Sequence, residues 1–308
     1  MPPSGSAPFV TVIVPSLNQG QYIGEALDSI FAQTYKDYEV IVVDGGSTDG
    51  TAAAVGRYGD KVLFFRQSGK GVSRAKNQAL ERARGRFIAF LDADDAWYPD
   101  KLARQVALLE DHPEYGFCSS DVDFFDETGI TIRSAIGAEK KPRSGMVFDD
   151  LFANNFISSA TIILRRECFE KVGRFDEEIF YAEDTEMWIR VAKEFSLGYI
   201  SESLSRYRVR PEARSQSFAR HYASLALSYG KLKGLYPDYF AARPALLRSA
   251  YFNLYRRWAY RHFAVGEYAE ARKIYLRALR YAPLDRSAWV HLVASYLPRG
   301  IIERLKRE

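Results

Sequence analysis

The 308 residues carry 43 basic and 39 acidic side chains, a formal charge of +4, with 47% hydrophobic and 14% aromatic residues. That composition specifies a packed core, excludes a disordered chain and gives no electrostatic ground for nucleic-acid binding. Two cysteines, Cys118 and Cys168, lack C-x-x-C spacing, which excludes a disulfide scaffold or zinc-thiolate site and fits a reducing compartment.

The opening MPPSGSAP has neither the charged nor the apolar region of a secretion signal, so residues 1–8 read as a flexible lead-in. No stretch reaches the roughly 18 consecutive apolar residues of a spanning helix. The expected location is cytoplasmic; the basic end, IIERLKRE, could touch an anionic membrane on its inner face, although a solvated helix face is the preferred reading.

Apolar β-branched runs predict strands at residues 9–14, 39–43, 62–66 and 87–91, alternating with amphipathic helices at 22–33, 48–58 and 72–83. Strict alternation predicts an α/β fold: a mostly parallel central sheet with helices on both faces. Ligands of such sheets bind beyond the carboxyl ends of the strands. From about residue 115 shorter strands at 116–125, 130–133 and 158–164 suggest an antiparallel extension, and a helical pattern returns at 183–194. From about residue 215 the chain reads as helices alone. There, Tyr255, Trp258, Ala259, His262, Ala271, Tyr275, Ala278 and Pro283 fall at tetratricopeptide-repeat spacing, giving one unit at 251–284, with Trp289 and Leu292 where a second would open. One unit and a fragment predict a packed helical hairpin rather than a peptide-binding array, which needs about three repeats.

Three clusters at predicted strand ends carry chemistry. After the first strand comes Pro15-Ser16-Leu17-Asn18. After the second, VIVVDGGSTDGT sets Asp44 at the strand end, where a carboxylate can accept from a base N–H, followed by Gly45, Gly46 and Ser47. Taken alone, the glycine pair is also an ordinary turn. After the fourth, FLDADDAWYPDKL delivers Asp92, Asp94 and Asp95, the arrangement that holds Mg²⁺ or Mn²⁺ against phosphate oxygens. This stretch reads equally as an acidic turn capping the helix that starts near Pro99. Between them, SGKGVSRAKNQAL joins a glycine-rich loop bearing Lys70 to a helix start with Arg74, Lys76 and Asn77, suited to a diphosphate or simply a basic solvated turn. Neither G-x-G-x-x-G at dinucleotide-fold spacing nor a P-loop occurs, so nicotinamide and ATPase chemistry lose their main support.

The order VTVIVPSLNQGQYI, VIVVDGGSTDGT, GVSRAKNQAL, FLDADDAWYPDKL, over residues 10–217, resembles the family 2 glycosyltransferases. The resemblance implies a nucleotide-diphospho-sugar transferase (GT-A type) fold with an inverting catalytic domain over 9–214, its nucleotide-binding half 9–114 and acceptor-binding half 115–214, followed by a helical extension at 215–308. It assigns Pro15, Asp44 and their neighbours Ser16, Asn18, Gly46 and Ser47 to the nucleotide. It assigns Asp92 and Ala93 to the ribose side, and Asp94, with Asp92, to a divalent Mn²⁺ or Mg²⁺ cofactor. The acidic pair of YAEDTEMWIR supplies the base, Asp184 first and Glu183 second. Two departures stand out. Gly45 replaces a second aspartate, and Arg210 of LSRYRVRPEARS stands where many members carry a histidine; arginine cannot ligate a metal, so Arg208 or Arg210 is expected to pair with the diphosphate.

The expected activity is transfer of a sugar from a nucleoside-diphosphate sugar, a UDP-sugar foremost, to a surface-polysaccharide or lipid-linked oligosaccharide hydroxyl. The alternatives are a non-catalytic scaffold acting through the helical end and a sugar nucleotidyltransferase; the latter needs a glycine-rich basic loop after the first strand that Leu17-Asn18-Gln19-Gly20 does not supply.

Overall fold

In the computed structural model, residues 8–126, 128–129, 131–132, 142–210 and 218–297 are described. The expected lead-in before residue 8 and the basic end beyond residue 297 lie outside them. The chain divides into two units, Met1–Leu151 with Phe156–Ala213, and Phe152–Asn155 with Arg214–Glu308.

The first unit is built on a nine-stranded mixed sheet in the order β3-β2-β1-β4-β8-β6-β9-β5, with β7 paired to β6. Four parallel strands come first: β1 (Val10–Ser16), β2 (Tyr38–Asp44), β3 (Val62–Arg66) and β4 (Phe87–Phe90). Helices α1 (Ile23–Phe31), α2 (Thr51–Gly56) and α3 (Val72–Arg82) connect them in sequence. These are the predicted elements, with α2 shorter than its pattern suggested. Helix α1 forms because Ile23, Ala26, Leu27 and Ile30 recur at i, i+3, i+4 and i+7, and all four are buried. Strands β1, β2 and β4 are apolar runs without alternation, as strands covered on both faces must be.

Strand order runs outward from β1 to β2 to β3 and then returns to the other side of β1 for β4. The direction of winding therefore reverses between β1 and β4. A crevice opens at such a point beyond the carboxyl ends, which here are Pro15-Ser16 and Asp92–Asp94.

The second half of the sheet departs from the expected antiparallel extension. Strand β8 (Ile163–Arg165) is antiparallel to both β4 and β6 (Tyr115–Phe125), but β9 (Ser196–Arg208) runs parallel to β6, with a register shift near Asp121. The run predicted at 158–164 is a 3₁₀ turn, Ser159–Thr161, followed by the short β8. Strand β7 (Thr131–Ile132) pairs β6, and β5 (Ala96–Trp97) pairs the end of β9, bringing the acidic turn beside Arg206 and Arg208. Helix α4 (Lys101–Asp111) follows the acidic turn; α5 (Phe148–Asn154) and α6 (Arg166–Val172) precede α7 (Glu183–Glu194). Helix α7 is buried nearly all round from Thr185 to Ala192, and Trp188 packs on Phe90 and Phe175 with centroids 5.8 Å away in each case.

The second unit contains α8 (Phe218–Leu235), α9 (Pro237–Ala241), α10 (Pro244–Ala264), α11 (Tyr268–Leu279) and α12 (Arg286–Ala294). Ala259, Phe263, Ala271, Ile274, Tyr275 and Leu279 form its core with Ala288 and Leu292. Several are the residues whose spacing suggested the repeat unit. Among the described residues, no helix is long and apolar enough to cross a membrane.

Candidate active site

The loops after β1 and β2 are fastened to each other before any ligand is considered. Asn18, at φ 53°, donates its N–H to Ser47 Oγ (2.8 Å) and accepts the Thr48 N–H on Oδ1 (2.9 Å). The Gln19 N–H reaches Thr51 Oγ1 and the Gly20 N–H reaches Asp49 Oδ2, each at 2.9 Å. Asn18 and Ser47, expected to meet a nucleotide, thus spend side-chain bonds on the scaffold. Gly46, at φ 97°, turns the chain where a side chain would be strained, and a Cβ there would meet nothing within 4 Å. The loop therefore leaves open space beside Gly46.

Asp44 ends β2 almost fully buried. Its carboxylate accepts the Ser47 N–H at 3.0 and 3.2 Å, and Arg66 Nε at 3.3 Å. A carboxylate has about four acceptor positions, so capacity remains for a further donor. Arg66 is a site residue that the sequence reading missed. It is paired with Asp44 through the β2–β3 register, which no local pattern reveals. Pro15 and Ser16 are buried at the end of β1, and Ser16 Oγ has no hydrogen-bond partner.

The acidic turn is closed by the Asp95 N–H donating to Asp92 O at 3.0 Å. Its three carboxylates have different surroundings. Asp92 is pushed up to about 6 by burial, with the charges of Asp94, Asp184 and Glu183 adding and Lys76 opposing. Asp95 is also raised, by burial and then by Asp94 and Asp92, and its Oδ1 accepts the Arg208 N–H at 2.9 Å. Asp94, half-buried, meets Arg210 Nη2 at 2.5 Å. Arg208 does not reach outward as expected. It is 6% exposed, donates Nε to Asp94 O (2.8 Å), pairs with Glu25 and lies over the rings of Tyr22 and Phe125. Its work is to hold the turn, which leaves Arg210 as the arginine beside the carboxylates.

The start of α3, expected beside a diphosphate, bonds to the segment at residues 175–179. Arg74 pairs with Glu177 at 2.7 Å, and Asn77 Nδ2 donates to Phe175 O (3.0 Å) and Glu177 Oε1 (3.2 Å) while Oδ1 accepts the Phe175 N–H (3.0 Å). Ser73 Oγ donates to Ile179 O at 3.0 Å. These bonds fasten the segment leading into α7, while Lys70 stays exposed in the loop before the helix. Lys76, 1% exposed, points its Nζ at Glu183 Oε1, 3.1 Å away. Burial would lower its pKa, but Glu183, Asp92 and Asp184 outweigh burial and raise it, so the ammonium stays charged. The two members of the acidic pair are thereby separated in role. Glu183 is held in a buried ion pair, whereas Asp184 is half-buried, with Oδ1 accepting the Thr185 N–H at 2.7 Å.

Among the described residues, no group of three or more His, Cys, Asp or Glu side chains is arranged to hold a metal. Asp92 and Asp94 are hard oxygen donors, half-buried, in a cluster whose mutual repulsion raises Asp92. They fit Mg²⁺ or Mn²⁺ that takes its remaining oxygens from a diphosphate, and not a cation bound by protein alone.

Residues 11–173 match the family model described as glycosyl transferase family 2. Among relatives, the putative glycosyltransferase EpsE of Bacillus subtilis is 30% identical over 82% of this chain and 94% of its own. The putative teichuronic acid biosynthesis glycosyltransferase TuaG of B. subtilis is 32% identical over 66% and 79%. WfgD of Escherichia coli, a UDP-Glc:alpha-D-GlcNAc-diphosphoundecaprenol beta-1,3-glucosyltransferase, is 29% identical over 65% and 77%. The chain spans 64% of the length of two similar uncharacterized glycosyltransferases of Rickettsia. In fold it is similar to S. aureus TarS 1-349 (TM-score 0.63, 20% identity, 97% and 91% covered). It is also similar to the mannosyltransferase PcManGT of Pyrobaculum calidifontis, solved with GDP-Man and Mn²⁺ (TM-score 0.61, 22% identity, 94% and 84% covered). With a family model matched over more than half of its length, the chain belongs to glycosyl transferase family 2.

Proposed function

We propose that the chain transfers a sugar, with inversion, from a UDP-sugar to a hydroxyl of a surface-polysaccharide or lipid-linked oligosaccharide acceptor. The observation that carries this reading is the electrostatic grouping of Asp92, Asp94 and Asp184 at the β1/β4 crevice, with Asp44 at the end of the neighbouring strand. TarS has been solved with UDP and with UDP-GlcNAc, and the name of WfgD gives a UDP-sugar donor and a diphosphoundecaprenol acceptor; both support the donor class and the second supports the acceptor.

In this mechanism Asp44 accepts from the base N–H and Asp92 from the ribose hydroxyls. Asp184 removes the proton from the acceptor hydroxyl as its oxygen attacks the anomeric carbon, on the face opposite the departing diphosphate. Glu183, neutralised by Lys76, fixes the first turn of α7 and so the position of Asp184. Arg210, beside Asp94, pairs with diphosphate oxygens through its planar fork. A divalent cation held by Asp94 and Asp92 would neutralise charge on the leaving group.

The test is a panel of UDP-, GDP- and dTDP-sugars incubated with the protein, with and without Mn²⁺ or Mg²⁺, reading nucleotide release and transfer. Turnover of a UDP-sugar lost in Asp184→Asn supports the reading. No turnover or binding of any nucleotide-sugar rejects it.

A further inference from the structure

Charge is unevenly divided along the chain. From residue 214 onward there are 18 lysines and arginines against six acids, a net +12, whereas the preceding 213 residues carry 25 against 33, a net −8. The positive excess thus belongs to the stretch that forms most of the helical unit.

Within that unit α12 has two apolar sides. Ala288 and Leu292 face the unit's own core. Trp289, Val290, Val293, Tyr296 and Leu297 are exposed, between 38% for Leu297 and 68% for Tyr296. At 3.6 residues per turn Trp289, Val290 and Val293 fall within a third of the helix circumference, and Tyr296 and Leu297 follow in the turn that closes the helix. Exposed Arg286 shares that arc one turn before Trp289, and the Arg272 guanidinium lies 4.6 Å from the Tyr296 ring centroid. The Trp289 Nε1–H donates to Pro283 O at 2.7 Å, which fixes the ring in its exposed position. Aliphatic side chains between two aromatic ones, edged by arginines, make the composition of a helix lying in a membrane interface.

We propose that this face of α12 docks on an anionic lipid bilayer, with Val290, Val293 and Leu297 entering the boundary between headgroups and acyl chains. The surrounding arginines meet the lipid phosphates. A second copy of the chain is a poorer occupant, because joining two such faces brings together two units of net +12. The proposal does not depend on the donor or acceptor proposed above.

The full chain is sedimented with vesicles of phosphatidylcholine alone and of phosphatidylcholine mixed with phosphatidylglycerol. Binding is expected only to the mixed vesicles, weakening as salt is raised. The double variant Val290→Asp/Val293→Asp is expected to bind about tenfold or more weakly, and Arg286→Glu to weaken binding as well, both with the circular dichroism and thermal melt of the wild type. Failure of the wild type to bind the mixed vesicles, or equal binding by the double variant, overturns the proposal. So does a lipid-free dimer that the double variant converts to monomer, which assigns the face to a second copy. A lower melting temperature of the lipid-free monomeric double variant shows the face already covered by the chain's own end, and overturns it too.

Discussion

Arg210 Nη2 lies 2.5 Å from the Asp94 carboxylate, so the acid expected to meet a divalent cation already has a cationic neighbour. Guanidinium has no lone pair for a metal, so this charge-assisted pair accords with the diphosphate contact proposed for Arg210. Arg210→Ala is expected to raise the donor KM about ten- to a hundredfold, the loss of one hydrogen bond to a charged group. Arg210→His is expected to lower the half-saturating Mn²⁺ concentration, since imidazole can ligate a metal and guanidinium cannot. Unchanged donor KM and metal requirement in both variants would remove Arg210 from the site.

Asp184 and Glu183 are adjacent in sequence and should fail in different ways. Asp184→Asn is expected to reduce kcat by about 10²–10⁴, the usual range for a lost general base, while calorimetry still detects nucleotide binding. Glu183→Gln leaves the Lys76 ammonium buried against a neutral amide, a change that costs about 3–5 kcal/mol when one partner of a buried pair is removed. It should appear as a lower urea midpoint. The reverse pattern, a stable and active Asp184→Asn with an inactive but stable Glu183→Gln, would exchange the two roles.

Lys101 is fully buried on α4, with Gln105 Oε1 2.5 Å from its Nζ and the Trp97 ring centroid at 4.3 Å. Burial drives its pKa down to about 7, with Cys118 opposing. The unfolded chain therefore binds more protons than the folded one between about pH 7 and the ordinary lysine pKa near 10.4, so this group makes stability rise with pH across that window. Lys101→Met is expected to raise the melting temperature at pH 7 and to narrow its advantage at pH 10. A melting temperature below wild type at both pH values would mean that the ammonium is held by something stronger than Gln105.

Gly20 sits where the two strand-end loops meet. A Cβ there would come 2.8 Å from Gly50 C and Thr51 N, both backbone atoms of the opposing loop. Gly20→Ala is expected to cost about 1–3 kcal/mol, as overpacking generally does, and to weaken nucleotide binding by parting the loops. Wild-type values for both the urea midpoint and UDP affinity would show that the loops give way freely.

The acids of the crevice were legible in the sequence because a motif keeps them within a few residues of a strong apolar strand, as Asp92 and Asp94 follow Phe87–Phe90. What was illegible depends on distant pairings. Lys76 and Glu183 are 107 residues apart, so a lysine read as a phosphate ligand turned out to support the start of α7. Arg74 and Asn77 likewise meet partners about a hundred residues away, Glu177 and Phe175. Strand β9 escaped notice because its exposed and buried positions do not alternate: Leu197-Gly198 and Leu204-Ser205 are buried as adjacent pairs, and exposed Ser201 and Glu202 interrupt it. Its parallel pairing with β6 could not be anticipated without knowing that it existed.

Four hydrogen bonds join the Asn18–Gly20 stretch to Ser47, Thr48, Asp49 and Thr51. Their consequence is kinetic as well as structural. Loops that order only around a ligand subtract the entropy of ordering from affinity and slow its capture. Here that entropy is surrendered during folding, so under the proposed function a nucleoside would meet loops already joined. On that proposal, discrimination among bases would rest on complementarity with Asp44 and Arg66 rather than on a closing motion of these two loops.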